Sequence, residues 1–460
     1  MNRIKALLQE QINLGNKISI VNEETMYSPS RVLDEVNAIS KNFKYVQAGE
    51  KIGLVIDHSM ESLFILLTII NQECCVILMD VQSQEFEIER VSKISNVNMW
   101  ILPDDHNYKL ASKFSTYTYT YVYQNAIQPN DYKNIDLGYI YMLTSGTKGM
   151  SKIAKIPYQS LWDGASAYQQ WFEIQRSDVI LSTVPLTHSY GLIGSCLVAL
   201  YSGAALYLCK NPTPRRVVNV IRKSQPTILF GVPVLYSLLN QANKVKKEDL
   251  APLRLLISSG GPLNNDVQET FYKKYELSIQ QVYGSTETGM IAATHPDKKA
   301  SPESVGHLLP HVRAEQDVNG HITIRSKTVF GGYLTELGEQ NPVVNNTYVI
   351  ADYGKIENNE VFLLGRSPNF INVAGRKVNP TEIENLLMKY PSVKETRVIG
   401  QQDMLYGEKI IAYVKSSENG FDEKVLKEYL MSNLAFYKLP HEIKNVEEIP
   451  KSWKEIYVKE

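Results

Sequence analysis

The sequence predicts an α/β fold followed by a smaller α+β domain. Three observations lead there. Short continuous apolar runs, Gly53 to Asp57, Cys75 to Leu78, Val179 to Leu181, Thr227 to Phe230 and Leu253 to Ile257, alternate with stretches of helical periodicity. Such runs form strands buried on both faces, hence parallel sheets covered by helices. From about Gly320 the pattern alternates instead, in His321 to Arg325 and Glu360 to Leu364, as antiparallel strands with one wet face require. Finally, Ser367-Pro368-Asn369 breaks the chain, and short strands mixed with amphipathic helices follow. The expected division is therefore 1–366 and 367–460. A chain of 460 residues exceeds the roughly 250 to 300 at which a single core stops growing, so two domains are expected on length as well.

In chain order, the N-terminal stretch from Met1 to Glu10 carries charges every few residues and lacks the apolar core of a secretion signal. Gly138 to Leu143 reads as a strand that runs into a polar, glycine-containing segment. Leu192 to Cys209 has no charge, which raises the question of a membrane span. Ser202-Gly203 interrupts it, so a buried helix, a turn and a strand from Ala204 to Leu208 are expected, with no span. In the C-terminal part Asn379 can cap a helix with Pro380 at its first position and Glu382 reaching back, Ile383, Leu386 and Leu387 lining one face. Strands are expected at Thr396 to Gly400 and Ile410 to Val414, and a second helix at Glu423 to Leu434.

Composition narrows the function. The formal net charge is −1, so no global field draws the chain to nucleic acid or to anionic lipid. Cys74, Cys75, Cys196 and Cys209 form neither a disulfide framework nor a CxxC metal pattern; they read as core residues of a cytoplasmic protein.

The chemistry-bearing segment is Thr144-Ser145-Gly146-Thr147-Lys148-Gly149-Met150-Ser151-Lys152. Glycines let backbone N–H groups approach phosphate oxygens, hydroxyls add donors, and lysine adds positive charge. It does not fit the GxxxxGK[ST] loop, because Gly146 and Lys152 stand in another register. Further segments follow in order: Pro185 to Gly191, Phe230 to Pro233, Ser258 to Leu263, Tyr283 to Gly289, Gly332-Tyr333, Asp352, Gly365-Arg366, Gly375 to Glu382, and Ile449 to Ser452.

This ordered set resembles the adenylate-forming superfamily, which includes acyl-CoA synthetases, the adenylation domains of peptide synthetases, and luciferases. The resemblance implies a large N-terminal domain of stacked α/β sheets with a barrel-like β-subdomain, and a small mobile C-terminal lid. It implies an ATP-dependent acid:CoA ligase acting on a fatty or aryl acid: a carboxylate attacks the α-phosphate of ATP, pyrophosphate leaves, and the thiol of coenzyme A displaces AMP. Positioning and charge neutralisation dominate such chemistry. A ligase that loads the phosphopantetheine of an acyl carrier protein, and a nucleotide-binding homologue with impaired turnover, are the alternatives. An amino-acid substrate is disfavoured, since no Asp stands between Pro185 and Gly191 to hold an ammonium group.

By that resemblance Thr144, Ser145, Gly146, Thr147, Lys148, Gly149 and Lys152 embrace the β- and γ-phosphates, and Glu287 with Thr144 holds Mg²⁺. Tyr283 and the segment Ser259-Gly260-Gly261-Pro262 flank the adenine, while Gly284, Ser285 and Thr286 approach the α-phosphate. Asp352 and Arg366 serve the ribose, and His188 lies beside the carboxylate. Gly375 belongs to the loop that faces the nucleotide in thioester formation, the hinge is Ser367 to Asn369, and a C-terminal lysine completes adenylation. Lys454 is that lysine if two residues are deleted relative to the family pattern; Lys451 and Lys459 are the other candidates. The chain also departs from the pattern at Lys148, Ser151, Ile153 and Asn369, and reads Ile350-Ala351-Asp352 where Thr-Gly-Asp is usual. Pocket depth is expected to depend on Phe230 to Pro233, Ser258 to Leu263 and Met290 onward, with Gly231 and Val232 leaving space for an aliphatic or aromatic tail. Oligomeric state is not specified by the sequence.

Overall fold

The computed structural model describes residues 3–22, 25–44, 46–97, 99–103, 113–116, 119–123, 138–144, 152–317, 321–366, 371–378, 380–416 and 422–449. Parallel strands form where the continuous apolar runs lie. Val179–Ser182, Ile228–Gly231, Leu255–Ser258 and Ile279–Ser285 are successive neighbours in a sheet with 13 strands among the described residues. The register sets Gly231 beside Ser258 and Ser182 beside Phe230, so the carboxyl ends of these strands share one edge. Open α/β sheets bind ligands at that edge.

A second sheet, of nine strands among the described residues, holds Lys51–Ile56, Cys75–Asp80 and Tyr139–Thr144 in parallel, their carboxyl ends likewise together. Tyr139–Thr144 turns back antiparallel into Lys152–Pro157, pairing Thr144 with Lys152. Helix Met60–Asn71 is buried along nearly its whole length and shares one hydrophobic core with strands of both sheets. A helix apolar all round must be covered on every side, and that explains its place between the layers.

The barrel-like subdomain implied by the resemblance takes another form. His307–Leu308, Arg313–Gln316, His321–Arg325, Thr347–Glu357 and Glu360–Arg366 extend the first sheet beyond the antiparallel hairpin Ile279–Ser285/Gly289–Ala293. Among the described residues no closed barrel forms: Arg313–Gln316 pairs with His321–Arg325 on one side and ends the sheet, whereas closure requires the last strand to pair back. Antiparallel pairing also occurs before Gly320, at that hairpin and already between Tyr139–Thr144 and Lys152–Pro157.

Leu192 to Cys209 folds as expected into helix, turn and strand. The first part, Tyr190–Leu197, is π-helical, Val198–Ser202 is α-helical, and Ala205–Leu208 joins the first sheet. Among the described residues no helix is long and apolar enough to cross a membrane. The four cysteines are buried and none is in a disulfide.

The C-terminal part builds its own five-stranded sheet from Ile371–Val373, Arg376–Val378, Val393–Asp403, Gly407–Ser416 and Glu442–Asn445. Helices Pro380–Leu387 and Glu423–Met431 close a separate core around Ile383, Leu387, Ile410 and Leu426. Asp422 caps the second helix through the backbone N–H groups of Lys424 and Val425. Asn379, the cap expected for the first helix, and the break at Ser367 to Asn369 lie outside the described residues.

Candidate active site

Several described side chains singled out by sequence lie close together where the two sheets meet. The Lys152 ammonium stands 4.7 Å from the centre of the Tyr333 ring, a cation–π distance. The Tyr333 hydroxyl donates to Glu287 Oε1 at 2.9 Å and lies 2.9 Å from the Tyr348 hydroxyl. Burial and the Glu287 carboxylate push the Tyr333 phenol far above its ordinary range, so it is a fixed donor that aims the Glu287 side chain. Glu287 is also tied through its backbone, its carbonyl accepting from Phe330 N–H at 2.8 Å. Lys152 and Glu287 thus share one aromatic support although they come from different sheets.

On the strand that also carries Tyr348, Asp352 accepts from the Tyr283 hydroxyl at 2.8 Å. The register places Asp352 directly opposite Arg366 in the sheet. Tyr348 and Asp352 belong to one strand, Thr347–Glu357, so the Glu287 and Asp352 sites are rigidly linked. Gly284 allows the tight pairing beside them: a Cβ there would lie 2.2 Å from the Gly289 carbonyl oxygen. Ser259 is buried and donates to the Val282 carbonyl at 2.9 Å, which ties the Ser259 to Pro262 segment to the strand that carries Tyr283. Ser285 and Thr286 line a cavity that also reaches Ser189 and Met290.

Gly375 meets this loop from the C-terminal part. A Cβ on Gly260 would lie 3.4 Å from the Gly375 carbonyl oxygen, and one on Gly375 the same distance from Val232 Cγ1. Both glycines have positive φ, 87° and 84°, and their backbones approach as only such turns permit. Arg376, next in sequence, reaches Gln82 Oε1 with Nη1 at 3.3 Å. Lys438 fixes the same docking: its ammonium is 2.8 Å from Glu382 Oε1 and 3.4 Å from Glu87 Oε1, with only 7% of the side chain exposed. Desolvation opposes its charge, but Tyr437, Glu382 and Glu87 overcome that and raise its pKa.

His188 sits low in the cleft on the loop before the π-helix, its N–H bonded to the Pro185 carbonyl at 3.1 Å. Its surface remains open to cleft water. The protein mass around it is the first cause of a lowered proton affinity, Arg376 the second, with Asp80 opposing, and the imidazole is held down to about 4. Cleft water screens part of this, so its direction carries the chemistry: a neutral ring at pH 7.

Sequence reasoning missed three members of the site. Tyr348 gave no signal, Tyr333 stood only as part of a glycine-tyrosine pair, and His58 was passed over. His58 has φ 61° and accepts weakly at Nδ1 from Leu186 N–H, 3.4 Å away, while its Nε2 is buried without a hydrogen-bond partner among the described residues. Burial lowers its pKa, Asp80 and Asp57 opposing. The one available clue was a histidine just past the end of a predicted strand.

The space assigned to Gly231 is already taken. A Cβ there would lie 3.1 Å from Leu235 Cδ2 and 3.2 Å from the Tyr236 ring, while Val232 faces Gly260 and Gly375. The missing side chain at Gly231 therefore opens no space of its own. Ser145, Gly146, Thr147, Lys148 and Gly149, together with Lys451, Lys454 and Lys459, lie outside the described residues; Thr144 and Lys152 mark the two ends of the phosphate segment.

The fold is that of an α/β protein with a large N-terminal domain and a small C-terminal one. Residues 8–334 match the model of the AMP-binding enzyme family and residues 382–454 that of the AMP-binding enzyme C-terminal domain; the chain belongs to this family. A Staphylococcus epidermidis protein provisionally named long chain fatty acid-CoA ligase VraA is 24% identical over 455 residues, 97% of this chain and 95% of the relative. The 2-succinylbenzoate–CoA ligase of Listeria innocua is 29% identical over 316 residues, 68% of this chain and 66% of the relative. Among solved structures, a malonyl-CoA ligase in a ternary product complex with methylmalonyl-CoA and AMP superposes with a TM-score of 0.80, at 21% identity over 95% of this chain and 97% of that one.

Proposed function

We propose that the chain is an AMP-forming acid:CoA ligase. It joins a carboxylic acid to AMP, then passes the acyl group to the thiol of coenzyme A. In the first step a carboxylate oxygen bonds to the α-phosphorus of ATP as the bond to the bridging oxygen breaks and pyrophosphate departs. In the second, sulfur bonds to the acyl carbon, the acyl C–O bond breaks, and AMP leaves with both electrons. The observation that carries this reading is the Lys152, Tyr333, Glu287 and Tyr348 network beside the Tyr283–Asp352 pair.

Each residue has a task in that reading. Lys152, with Thr144 to Gly149, neutralises the β- and γ-phosphates, Ser285 and Thr286 orient the α-phosphate, and Tyr283 with Ser259 to Pro262 encloses the adenine. Asp352 and Arg366 hold the ribose, and neutral His188 orients the carboxylate. Mg²⁺ would arrive on phosphate oxygens and take one protein carboxylate, Glu287, with Thr144. When bound, Mg²⁺ withdraws charge from the phosphates. Domains 1–366 and 367–460 rotate about Ser367 to Asn369, Gly375 serving thioester formation and Lys454 adenylation. The contact of Gly375 with Gly260 supports the first of those roles. Buried cysteines outside any disulfide suit a cytoplasmic enzyme.

Mass spectrometry of products from ATP, Mg²⁺, CoA and a pool of carboxylic acids tests the reading. An acyl-CoA and AMP are expected. ATP binding with no acid-dependent product would make the chain a nucleotide binder, and product formed only on a phosphopantetheinylated carrier protein would change the acceptor.

A further inference from the structure

Of the fatty and aryl acids this reading admits, we infer that the substrate is a short aliphatic monocarboxylic acid of roughly three to five carbons, because the acid cavity is small, uncharged and walled by immobilised aromatic rings. The inference rests on the ligase reading and concerns the same cleft.

Size comes first. The cavity that opens beside Ser259, Ser285 and Thr286 has a volume of about 40 Å³. Each water needs roughly 10–15 Å³ on that measure, and a benzene-binding cavity has roughly 150 Å³. Within its walls there is room for about three or four heavy atoms, too few for an aryl ring or a long chain.

The walls explain why. Helix Tyr158–Phe172 presents Ser160, Gly164 and Tyr168, spaced four apart and therefore on one face, to the cavity. Ile193 of the π-helix fills the notch at Gly164, where a Cβ would lie 2.8 Å from Ile193 Cγ2. Tyr168 forms part of the wall. Its ring packs on Phe230, centroids 6.1 Å apart, and against Gly194, where a Cβ would lie 3.0 Å from Tyr168 Cζ. Phe230 is fully buried, and Tyr190, 5.7 Å from it, is pinned by a 2.9 Å bond from its hydroxyl to the Ile257 carbonyl. These rings have no direction in which to swing, since cores at native density do not yield that volume freely.

Charge comes second. No side chain lining the cavity is charged. A second carboxylate or an ammonium group would enter with no counter-ion, a large desolvation cost. Dicarboxylic and amino acids are thereby disfavoured.

The test is kcat/KM for acyl-CoA formation with straight-chain acids from acetate to palmitate and with benzoate, each with ATP, Mg²⁺ and CoA. An optimum between propionate and pentanoate is expected, with octanoate and benzoate at least tenfold lower. Ile193→Ala and Tyr168→Leu should each raise the octanoate-to-butyrate ratio of kcat/KM by tenfold or more, and a ratio is insensitive to partial loss of folded enzyme. An optimum at octanoate or longer, at benzoate, or an unmoved ratio in both variants would overturn the inference alone. Inactivity with every acid would overturn the ligase reading and this inference with it.

Discussion

Tyr333 is the residue on which the two sheets agree. Its ring supports Lys152 and its hydroxyl aims Glu287. A hydrogen bond to a charged group is worth about 1.5–3 kcal/mol, so Tyr333→Phe should lower kcat/KM for Mg-ATP by roughly ten- to a hundredfold while leaving the acid preference intact. Glu287→Gln should cost at least as much and raise the Mg²⁺ concentration needed for half-maximal rate; steady-state titration of Mg²⁺ reads both variants, and unchanged curves would remove the pair from the metal site. His188 makes a second residue-scale prediction. With its folded pKa depressed towards 4, it stays neutral from pH 7 down and gains a proton only as pH falls through that lowered value. The pH profile of kcat/KM for the acid should therefore show no inflection near 6.5. One that appears there and vanishes in His188→Gln would contradict the assignment.

Among the elements, Lys438 ties the C-terminal part to the N-terminal one. Its ammonium satisfies two carboxylates, one in each part of the chain, from an almost buried position. Lys438→Met leaves Glu87 and Glu382 without their cation, so a stability loss of about 2 kcal/mol is expected by denaturant unfolding. Thioester formation from a preformed acyl-adenylate should slow more than adenylation does, since Gly375 would lose its place at Gly260. Equal effects on both half-reactions would show that the contact is structural only. Strands and helices were mostly legible in the sequence, because buried parallel strands leave continuous apolar runs and capped helices leave their punctuation. The run Cys75 to Leu78 appears as Cys75–Asp80, and Glu423 to Leu434 as Glu423–Met431. What was not legible is informative. Helix Tyr158–Phe172 lines the acid cavity through Gly164 and Tyr168, yet a glycine and an aromatic four apart look like ordinary core packing until a partner, here Ile193, is known. Tyr348 and His58 escaped for the same reason: each acts through a residue far away in sequence. Gly231 misled in the opposite sense, because an absent side chain says nothing about what else fills the gap.

At the scale of the whole molecule, the fold brings two parallel sheet edges and a small second domain to one cleft. Each contributes something the others lack: Thr144 and Lys152 from the nine-stranded sheet, Tyr283, Glu287 and Asp352 from the first sheet and its antiparallel extension, Gly375 and Arg376 from the C-terminal part. The sharpest test of that convergence is ATP–pyrophosphate exchange without CoA, in which labelled pyrophosphate returns to ATP only through a reversible acyl-adenylate. The account predicts exchange that requires both Mg²⁺ and a short monocarboxylic acid and that collapses in Glu287→Gln. Exchange that proceeds without any acid, or none with any acid tried, would contradict it.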